Sequence, residues 1–451
     1  MPESRASADT IEINVWLADY PFPTYDGEDF LAPVRRRAEE FGVAHPGYRV
    51  VIREVPFPAM AQEVARAVED GTPPDVAGYY ASAGRTALDT LGPDGRPLFT
   101  PVGRAIGGRT EILGEPVVVD DLIPAVRAHH SRGGELLSMP VSATTFLLYA
   151  NRTLLAEAGV TGIPRTWEEV EDACEAVARL RGGPAITWAD HGWLFQQALA
   201  AQGGPLAGND NGRSGRARTV DLASKEMLAW VEWWRSMHAR GYYLHTGAVA
   251  DWMGTFQAFA GGRVAFLLDS SKSAQEIVGA GAAAGFEVAV GRMPYNGDVP
   301  YVGSAVSGDS LWLADGLDEA RRDGALAFMQ YLASPASAAA WHRATGFVPV
   351  TGASADLLEK EGWFDEHPHQ RVAVEQLRAS DCSPAALGPL VGDVAAIHAA
   401  LTGAMEDVLT GGADPAARFV RATEEAQRAL DDYNADCAGP APRTPRRLVI
   451  D

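Results

Sequence analysis

Residues 11–17 read IEINVWL, and together with the segments that follow they decide the fold class. An apolar residue occupies every second position, at Ile11, Ile13, Val15 and Leu17. A period of two is typical of a β-strand. A helical pattern over 29–42 follows, then the turn and strand HPGYRVVIREV, a helix near 59–70 that ends at Gly71, and the apolar segment VAGYY. This order of strand, helix, strand, helix, strand predicts a parallel α/β sheet.

The rest of the chain continues the alternation and then becomes helical. The segment LLSMPVSATTFLLYANRTLLAEAG predicts two strands on either side of Pro140. Thr166 and Glu169 form a capping box, which predicts the start of a helix. A long helix is expected over 221–240, and the strand RVAFLLD follows the helix DWMGTFQAFAGG. Beyond residue 316 we expect an almost entirely helical chain.

Composition restricts the classes of partner and location. The 451 residues carry 59 acidic and 38 basic side chains, a formal net charge of -21. A surface of this sign repels phosphate backbones, so we expect no nucleic-acid partner. No stretch approaches the ~20 apolar residues of a membrane span. The first residues, MPESRASADT, lack a charged region followed by an apolar run, so we see no secretory signal there and a cytoplasmic location stays open.

Cysteine, histidine and glycine patterns predict neither a metal site nor a cofactor. The cysteines Cys174, Cys382 and Cys437 are odd in number and far apart, so we expect isolated reduced thiols. HPH at 367–369 and the histidine pair at 129–130 have no third ligand at a recognisable spacing. The run GAGAAAG precedes a strand, whereas a dinucleotide-binding loop follows one. We therefore expect no metal and no cofactor.

Residues 308–311 spell G-D-S-L, the signature of a family of serine hydrolases. Those enzymes need the serine just after the first strand and a D-x-x-H near the C-terminus, because a serine is a poor nucleophile until a positioned histidine takes its proton. Here the motif lies two thirds of the way along the chain, and none of the ten histidines has an aspartate three residues before it. The pattern does not favour Ser310 as a nucleophile, but the alternative stays open.

The tryptophans are more informative. Trp188, Trp193, Trp252 and Trp312 fall in segments that resemble loops or helix starts, where an indole can pack on the apolar face of a sugar ring. Trp234, in the long helix, is expected in the core. Trp193 lies in the turn WADHGW before a helix, a position compatible with the core and with ligand contact.

A series of motifs in fixed order resembles one family. The motifs are IEINVWL, FGVAHPGYRV, GTPPDV, MPVSATTFLLYANRTLLAEAGV, PRTWEEV, FQAFAGGRVAFLLDSS, VGRMPY, SGDSLWLADG and FMQYLASPASAAAWHRATGFVPVT. Over residues 11–435 they resemble the family 1 extracellular solute-binding proteins of ABC importers. Within that family the chain is similar to the branch that binds sugars and glycerol 3-phosphate.

The resemblance implies an α/β, two-lobed periplasmic-binding-protein-like fold of class II type, with a ligand cleft between lobes that crossing strands join. SGDSLW would be one of these crossing strands, with its backbone and small residues facing the ligand. The expected division is lobe 1 at 11–138 plus 263–315, lobe 2 at 139–262 plus 316–435, and flexible ends at 1–10 and 436–451.

The resemblance also carries ligand-binding positions onto this chain. Phe57 falls where glycerol-3-phosphate binders have a cleft tyrosine, and Ala81 where they have a glutamate. Thr144 falls near their serine, Trp193 at their stacking tryptophan and Gly308 at their glycine. The expected ligand-binding residues are Asp19, Tyr20, Phe57, Tyr80, Ala81, Thr144, Trp193, Ser270, Ser271, Gly308, Asp309 and Phe347.

Two departures from the phosphate binders predict a different ligand. Phe347 replaces a tyrosine that helps to hold phosphate, and Leu390 falls where an arginine would bind it. Losing both leaves no charge-assisted anchor for a dianion. Asp309 adds a carboxylate, which would repel phosphate and accept hydrogen bonds from hydroxyl groups. We therefore predict a neutral or cationic polyol, above all a mono- or oligosaccharide, while a glycerophosphodiester stays open.

These features predict a receptor without catalytic activity. It would close on a sugar or related polyol and deliver it to ABC permease subunits, as a monomer and, by family resemblance, outside the cytoplasm. Two alternatives stay open: a serine hydrolase that uses Ser310, and an intracellular sugar sensor with the same fold, which the missing signal suggests.

Overall fold

The structure, a computed structural model, describes residues 10–438. Its strands are β1 (Ile11–Asp19), β2 (Tyr48–Pro56), β3 (Val76–Tyr80), β4 (Phe99–Thr100), β5 (Glu111–Ile112), β6 (Glu115–Pro116), β7 (Ser131–Arg132), β8 (Glu135–Leu136), β9 (Met139–Pro140), β10 (Phe146–Asn151), β11 (Ile186–Thr187), β12 (Phe266–Ser270), β13 (Val288–Arg292) and β14 (Asp309–Ala314).

The helices of the described residues are α1 (Ala32–Ala44), α2 (Met60–Glu69), α3 (Gly84–Asp89), α4 (Val102–Ile106), α5 (Pro124–His129), α6 (Arg152–Glu157), α7 (Trp167–Arg181), α8 (Gly192–Ala201), α9 (Gly208–Asn211), α10 (Lys225–Ala239), α11 (Trp252–Ala260), α12 (Ala274–Ala283), α13 (Glu319–Ala333), α14 (Pro335–Thr345), α15 (Gly352–Lys360), α16 (Trp363–Glu366), α17 (Pro368–Arg378), α18 (Val394–Leu409) and α19 (Pro415–Ala438). The expected flexible ends fall largely on 1–9 and 439–451, outside the described residues, and 436–438 continue α19.

The sheet of lobe 1 has the strand order β2-β1-β3-β14-β4, with β9 also paired to β14. β1 is parallel to β2 and β3, as the alternation in the sequence predicts, and β14 joins β3 in the antiparallel sense. Both faces of β1 are buried: Ile13 and Val15 face a cluster shared with α1 and α13, whereas Trp16 faces a second, smaller cluster. The sheet is therefore covered on both sides.

The sheet of lobe 2 has the strand order β11-β12-β10-β13. β10 lies at its centre, antiparallel to β12 and β13, and all six of its residues are buried. α7 begins as predicted, because the Thr166 hydroxyl accepts a hydrogen bond from the Glu169 N–H at 3.3 Å. Five tryptophans on and around α7 and α10 fill the core of this lobe: Trp167, Trp188, Trp230, Trp233 and Trp234.

Two parts of the chain lie in the other lobe from the one expected. β12 and β13 were expected in lobe 1, but they pair with β10, where Leu147 faces Asp269 on one side and Arg292 on the other. α13 and α14 were expected in lobe 2, but α13 packs on β1, with Gly324 against the side chain of Ile13, and α14 packs on α1. The reason is that β12 is apolar on both faces and fits the interior of either sheet, so its local sequence does not specify its partners.

Three further observations bear on function: where the tryptophans lie, whether a helix could span a membrane, and whether side chains could hold a metal ion. Trp234 is fully buried as expected, and so is Trp188, while Trp312 packs in the core of lobe 1. Across residues 10–438 no helix is both long and apolar enough to cross a membrane. Within the same residues no three histidine, cysteine or acidic side chains are arranged to hold a metal ion.

Candidate functional site

Two chain segments cross between the lobes side by side. One leads from β9 to β10 and the other from β13 to β14. They pair at Thr144 and Ser307, whose backbone N–H groups each donate to the other's carbonyl oxygen, at 2.8 and 3.0 Å. Gly308 follows with a φ of 117°, and a Cβ added there would lie 2.7 Å from the carbonyl carbon of Ser142. The close contact of the two segments therefore requires glycine at this position.

Tyr20, Phe57 and Tyr80 form an aromatic wall on lobe 1, here called the lobe 1 wall. They lie at the carboxyl ends of β1, β2 and β3, and parallel strands bring these ends to one edge of the sheet. Tyr20 stacks on Phe57 with 4.3 Å between ring centroids, and Phe57 meets Tyr80 edge to face at 5.6 Å. The Tyr80 hydroxyl accepts a hydrogen bond from Ser307. Three predicted residues thus meet beside the crossing segments.

Asp19 and Ala81 fix this wall through their backbones. The carbonyl oxygen of Asp19 accepts a hydrogen bond from the Phe57 N–H at 2.8 Å. The N–H of Ala81 donates to the carbonyl oxygen of Gly308 at 2.7 Å, and the Ala81 side chain is buried. Ala81 therefore attaches the end of β3 to a crossing segment and offers no polar group of its own to a ligand.

Asp309 opens β14 and is held by two neutral hydroxyl groups. The Tyr20 hydroxyl donates to Oδ1 at 2.9 Å and the Ser142 hydroxyl to Oδ2 at 3.3 Å. The Asp309 N–H in turn donates to the Ser142 Oγ at 2.8 Å. Burial raises the pKa of the Asp309 carboxyl to about 6. The carboxylate therefore connects the lobe 1 wall to a crossing segment.

Trp193 and Trp252 form the lobe 2 wall around Phe146, the first residue of β10. Their ring centroids lie 4.5 and 6.0 Å from that of Phe146, and both indoles remain partly accessible. His191 caps α8 by accepting a hydrogen bond from the Trp193 N–H at 3.2 Å. Its ring lies 5.3 Å from Trp252 and 5.4 Å from His398 on α18. The sequence analysis did not identify either histidine; the helix-start position of His191 was the available signal.

The predicted hydroxyl residues of lobe 2 differ in accessibility. Ser271 and Thr144 are buried, and the Ser271 hydroxyl accepts a hydrogen bond from the Thr145 N–H at 3.2 Å. Ser270 stays partly accessible, and its carbonyl oxygen accepts a hydrogen bond from the Tyr149 hydroxyl at 2.7 Å. Ser271 therefore joins β12 to β10, and Ser270 is the accessible hydroxyl of the two serines.

The structure places Phe347 in the core of lobe 1 rather than on a cleft wall. Its ring is 4% exposed and lies 6.2 Å from Phe30 and 6.3 Å from Trp341, because an apolar ring gains most by packing among others. Leu390 is also buried, and its N–H donates to the carbonyl oxygen of Asn211 at 2.7 Å. Neither position offers a hydroxyl group or a charge to a ligand.

Ser310 has a histidine in its hydrogen-bond network but no access for a substrate. The Ser138 hydroxyl donates to the Ser310 Oγ at 2.9 Å and lies 3.3 Å from Nδ1 of His130. All three side chains are buried, with Ser310 only 2% exposed. Burial lowers the pKa of His130 to about 3. The hydrolase alternative therefore lacks an accessible nucleophile.

Asp190, two residues before α8, carries a buried carboxyl group. Its side chain is 2% exposed, and among the described residues neither carboxyl oxygen has a hydrogen-bond partner. Burial raises the pKa of this carboxyl well above its usual range, and the negative charge of Glu406 raises it further. A charge buried without a partner is costly, so burial favours the protonated form of Asp190 in the folded state.

Asp190→Asn is expected to raise the midpoint of thermal unfolding, and to raise it more at pH 8 than at pH 5. The folded pKa exceeds the unfolded value of about 3.9, so the folded chain holds a proton that the unfolded chain releases, and stability falls as the pH rises between the two values. Asparagine does not titrate, so the variant lacks this loss of stability with rising pH. The gain is therefore expected to grow by about 1.4 kcal/mol for each pH unit between the two pKa values. Differential scanning calorimetry across this pH range measures it, with exposed Asp298→Asn as the control; a gain independent of pH would contradict the protonated state.

Comparisons with known proteins agree with the fold. Residues 36–371 match the family described as bacterial extracellular solute-binding protein. The sn-glycerol-3-phosphate-binding periplasmic protein UgpB of Pectobacterium atrosepticum is 28% identical over 317 residues, which are 68% of this chain and 70% of that protein. UgpB of Salmonella typhimurium is 28% identical over 302 residues, 65% of this chain and 67% of that one.

Two solved structures share the architecture. The cyclic alpha-maltosyl-1,6-maltose binding protein of Arthrobacter globiformis superposes with a TM-score of 0.74 at 20% identity, covering 94% of this chain and 100% of its own. UgpB of Mycobacterium tuberculosis in complex with glycerophosphocholine gives 0.70 at 21% identity, covering 94% and 99%. The predicted two-lobed binding-protein fold is therefore confirmed.

Proposed function

The chain belongs to the bacterial extracellular solute-binding proteins, and from that premise we propose that it captures a sugar or related polyol between its lobes and delivers it to an ABC permease. Its relatives include periplasmic proteins named for glycerol 3-phosphate. Structures with the same fold include binding proteins for a maltose-derived sugar and for glycerophosphocholine. The proposal extends to a location outside the cytoplasm, a monomeric state and a role without catalysis.

The convergence of the two aromatic walls on the crossing segments carries this proposal. A chain of contacts connects the two walls. Tyr80 of the lobe 1 wall is hydrogen-bonded to Ser307, and the backbone of Ser307 pairs with that of Thr144. Phe146 follows two residues later and supports Trp193. Partly accessible rings with hydroxyl groups between them suit a ligand that has apolar C–H faces and several hydroxyl groups.

The lack of a phosphate anchor at two positions supports a neutral or cationic ligand. Phe347 and Leu390 are buried and apolar where the phosphate-binding relatives are expected to have a tyrosine and an arginine. Asp309 adds a carboxylate close to the lobe 1 wall, and a phosphate dianion would be repelled there. The divergence from the glycerol-3-phosphate binders thus concerns the charge of the ligand.

Binding would act through lobe closure rather than chemistry. A ligand that contacts the lobe 1 wall and the lobe 2 wall together favours the arrangement in which the walls are close, so it shifts the population toward the closed state. The paired crossing segments at Thr144 and Ser307 are the positions where such a movement would be absorbed. The permease would then recognise the closed form.

A thermal-shift screen is expected to find its stabilising ligands among sugars and polyols, with no shift from sn-glycerol 3-phosphate. A ligand at 100 times its Kd adds about 2.7 kcal/mol, which in a chain of this length raises the midpoint by roughly a couple of degrees. Glycerophosphocholine is screened in parallel, and a response to it alone would change the ligand class to a phosphodiester. Stabilisation by micromolar glycerol 3-phosphate would contradict the proposed charge selectivity, and ester hydrolysis that Ser310→Ala abolishes would contradict the receptor role.

A further inference from the structure

A pocket lies within lobe 1, between α1 and α14. Its apolar lining includes Leu17 of β1, Leu311 of β14, Phe30, Val34 of α1 and Trp341 of α14. Its volume is about 70 Å³. A single water needs about 10–15 Å³ of such space, so the pocket has room for a molecule of roughly five to seven non-hydrogen atoms.

A carboxylate is part of the lining of this otherwise largely apolar pocket. Asp309 and Ser142 both line it, and among residues 10–438 the carboxylate accepts side-chain hydrogen bonds only from the neutral hydroxyls of Tyr20 and Ser142. No cation pairs with Asp309 in the part of the chain that the structure describes. Arg37 also lines the pocket, but its guanidinium lies 2.6 Å from the Glu40 carboxylate. A carboxylate has about four acceptor positions, so Asp309 can accept further hydrogen bonds.

The pocket is distinct from the cleft between the walls. None of the five rings of the two walls lines it: Tyr20, Phe57, Tyr80, Trp193 and Trp252. The connection between the two sites is Tyr20, whose ring stacks on Phe57 and whose hydroxyl donates to Asp309. A molecule in the pocket can therefore bind without occupying the proposed sugar site.

We propose that the pocket between α1 and α14 binds a small primary amine with a branched or cyclic hydrocarbon body, whose ammonium group pairs with Asp309. The hydrocarbon body would replace water against the apolar lining of the pocket. The ammonium group would provide a cationic partner for the Asp309 carboxylate. Charge-assisted hydrogen bonds of this kind are about twice as strong as neutral ones. This inference does not depend on which solute the cleft takes.

The test uses fluorine NMR on the full chain labelled with 5-fluorotryptophan. Trp341 reports on the pocket and Trp193 on the cleft, and their signals are assigned from Trp341→Phe and Trp193→Phe. The probes are isopentylamine and isopentanol, which have the same hydrocarbon body and size and differ in charge. We expect isopentylamine to move the Trp341 signal saturably, with a Kd at least about tenfold lower than that of isopentanol, and to leave the Trp193 signal in place.

Two variants separate the carboxylate from the cavity. Asp309→Asn keeps the cavity and is expected to reduce isopentylamine binding to the level of isopentanol. Ala340→Leu, at a lining position of α14, keeps the carboxylate and fills the space, so both probes should lose binding while the thermal midpoint is retained. Trp193→Ala is expected to keep amine binding, which separates this site from the cleft. Equal affinity for amine and alcohol, unchanged amine binding in Ala340→Leu, or a shift confined to Trp193 would each overturn the proposal.

Discussion

Replacing Trp193 with alanine is expected to weaken binding of the cleft sugar about 30-fold or more. The indole packs on Phe146 with 4.5 Å between ring centroids and remains partly accessible. Removing such an aromatic anchor costs about 2 kcal/mol or more, and about 1.4 kcal/mol corresponds to a factor of ten in affinity. Isothermal titration calorimetry with the sugar that gives the largest thermal shift measures the change.

Trp363 provides the matched control for this measurement. It lies in α16, stacked on His367 at 3.9 Å between ring centroids, and belongs to neither wall. Trp363→Ala should therefore leave the affinity unchanged, and Trp193→Phe should retain most of it. Unchanged affinity in Trp193→Ala would mean that this indole only fills space beside Phe146 and that the sugar binds elsewhere.

Gly308→Ala is expected to lower the free energy of unfolding by about 2–5 kcal/mol, because two costs add. The φ of 117° is a conformation that costs a residue with a Cβ about 1–2 kcal/mol. The new Cβ would also lie 2.7 Å from the carbonyl carbon of Ser142 and 2.8 Å from Cα of Ala143, and overpacking of this kind costs about 1–3 kcal/mol. Urea denaturation measures the loss.

Gly316→Ala separates the two costs. Gly316 also has a positive φ, of 76°, but no atom lies within 4 Å of the position that its Cβ would take. This variant is expected to lose only about 1–2 kcal/mol. Equal losses in both variants would show that contact with Ser142 contributes nothing at Gly308, and would contradict the close packing of the crossing segments.

The N-terminal part of the fold could be predicted from the sequence because its signals are local. The alternation in IEINVWL, the helices expected near 29–42 and 59–70, and the strand VAGYY correspond to β1, α1, α2 and β3. The hydrophobic period identifies each element, and the helices between strands imply parallel pairing. The lobe to which a strand belongs cannot be predicted from its local sequence in the same way. β12 is apolar on both faces, so its pairing with β10 depends on the fold of the complete chain.

The sequence predicted those residues of the candidate site that lie at strand ends or match the family's motifs. Tyr20, Phe57 and Tyr80 meet because each lies at the carboxyl end of a parallel strand. Phe347 could not be placed in advance, because its motif does not say which way the ring points after α14. His398 could not be found either, since α18 reaches His191 only through the tertiary fold.

The division of lobe 1 between two distant parts of the chain has a consequence for protein synthesis. β1 emerges first, but β14, which completes the sheet beside β3, follows about 300 residues later in the chain. At about 5–20 residues per second, the ribosome takes roughly 15–60 s to reach it. Until then the nascent chain exposes an unpaired strand edge and the apolar face of β1 that α13 covers in the finished protein. Pairings this distant slow folding, so most of the chain must be made before its N-terminal third can take its final shape.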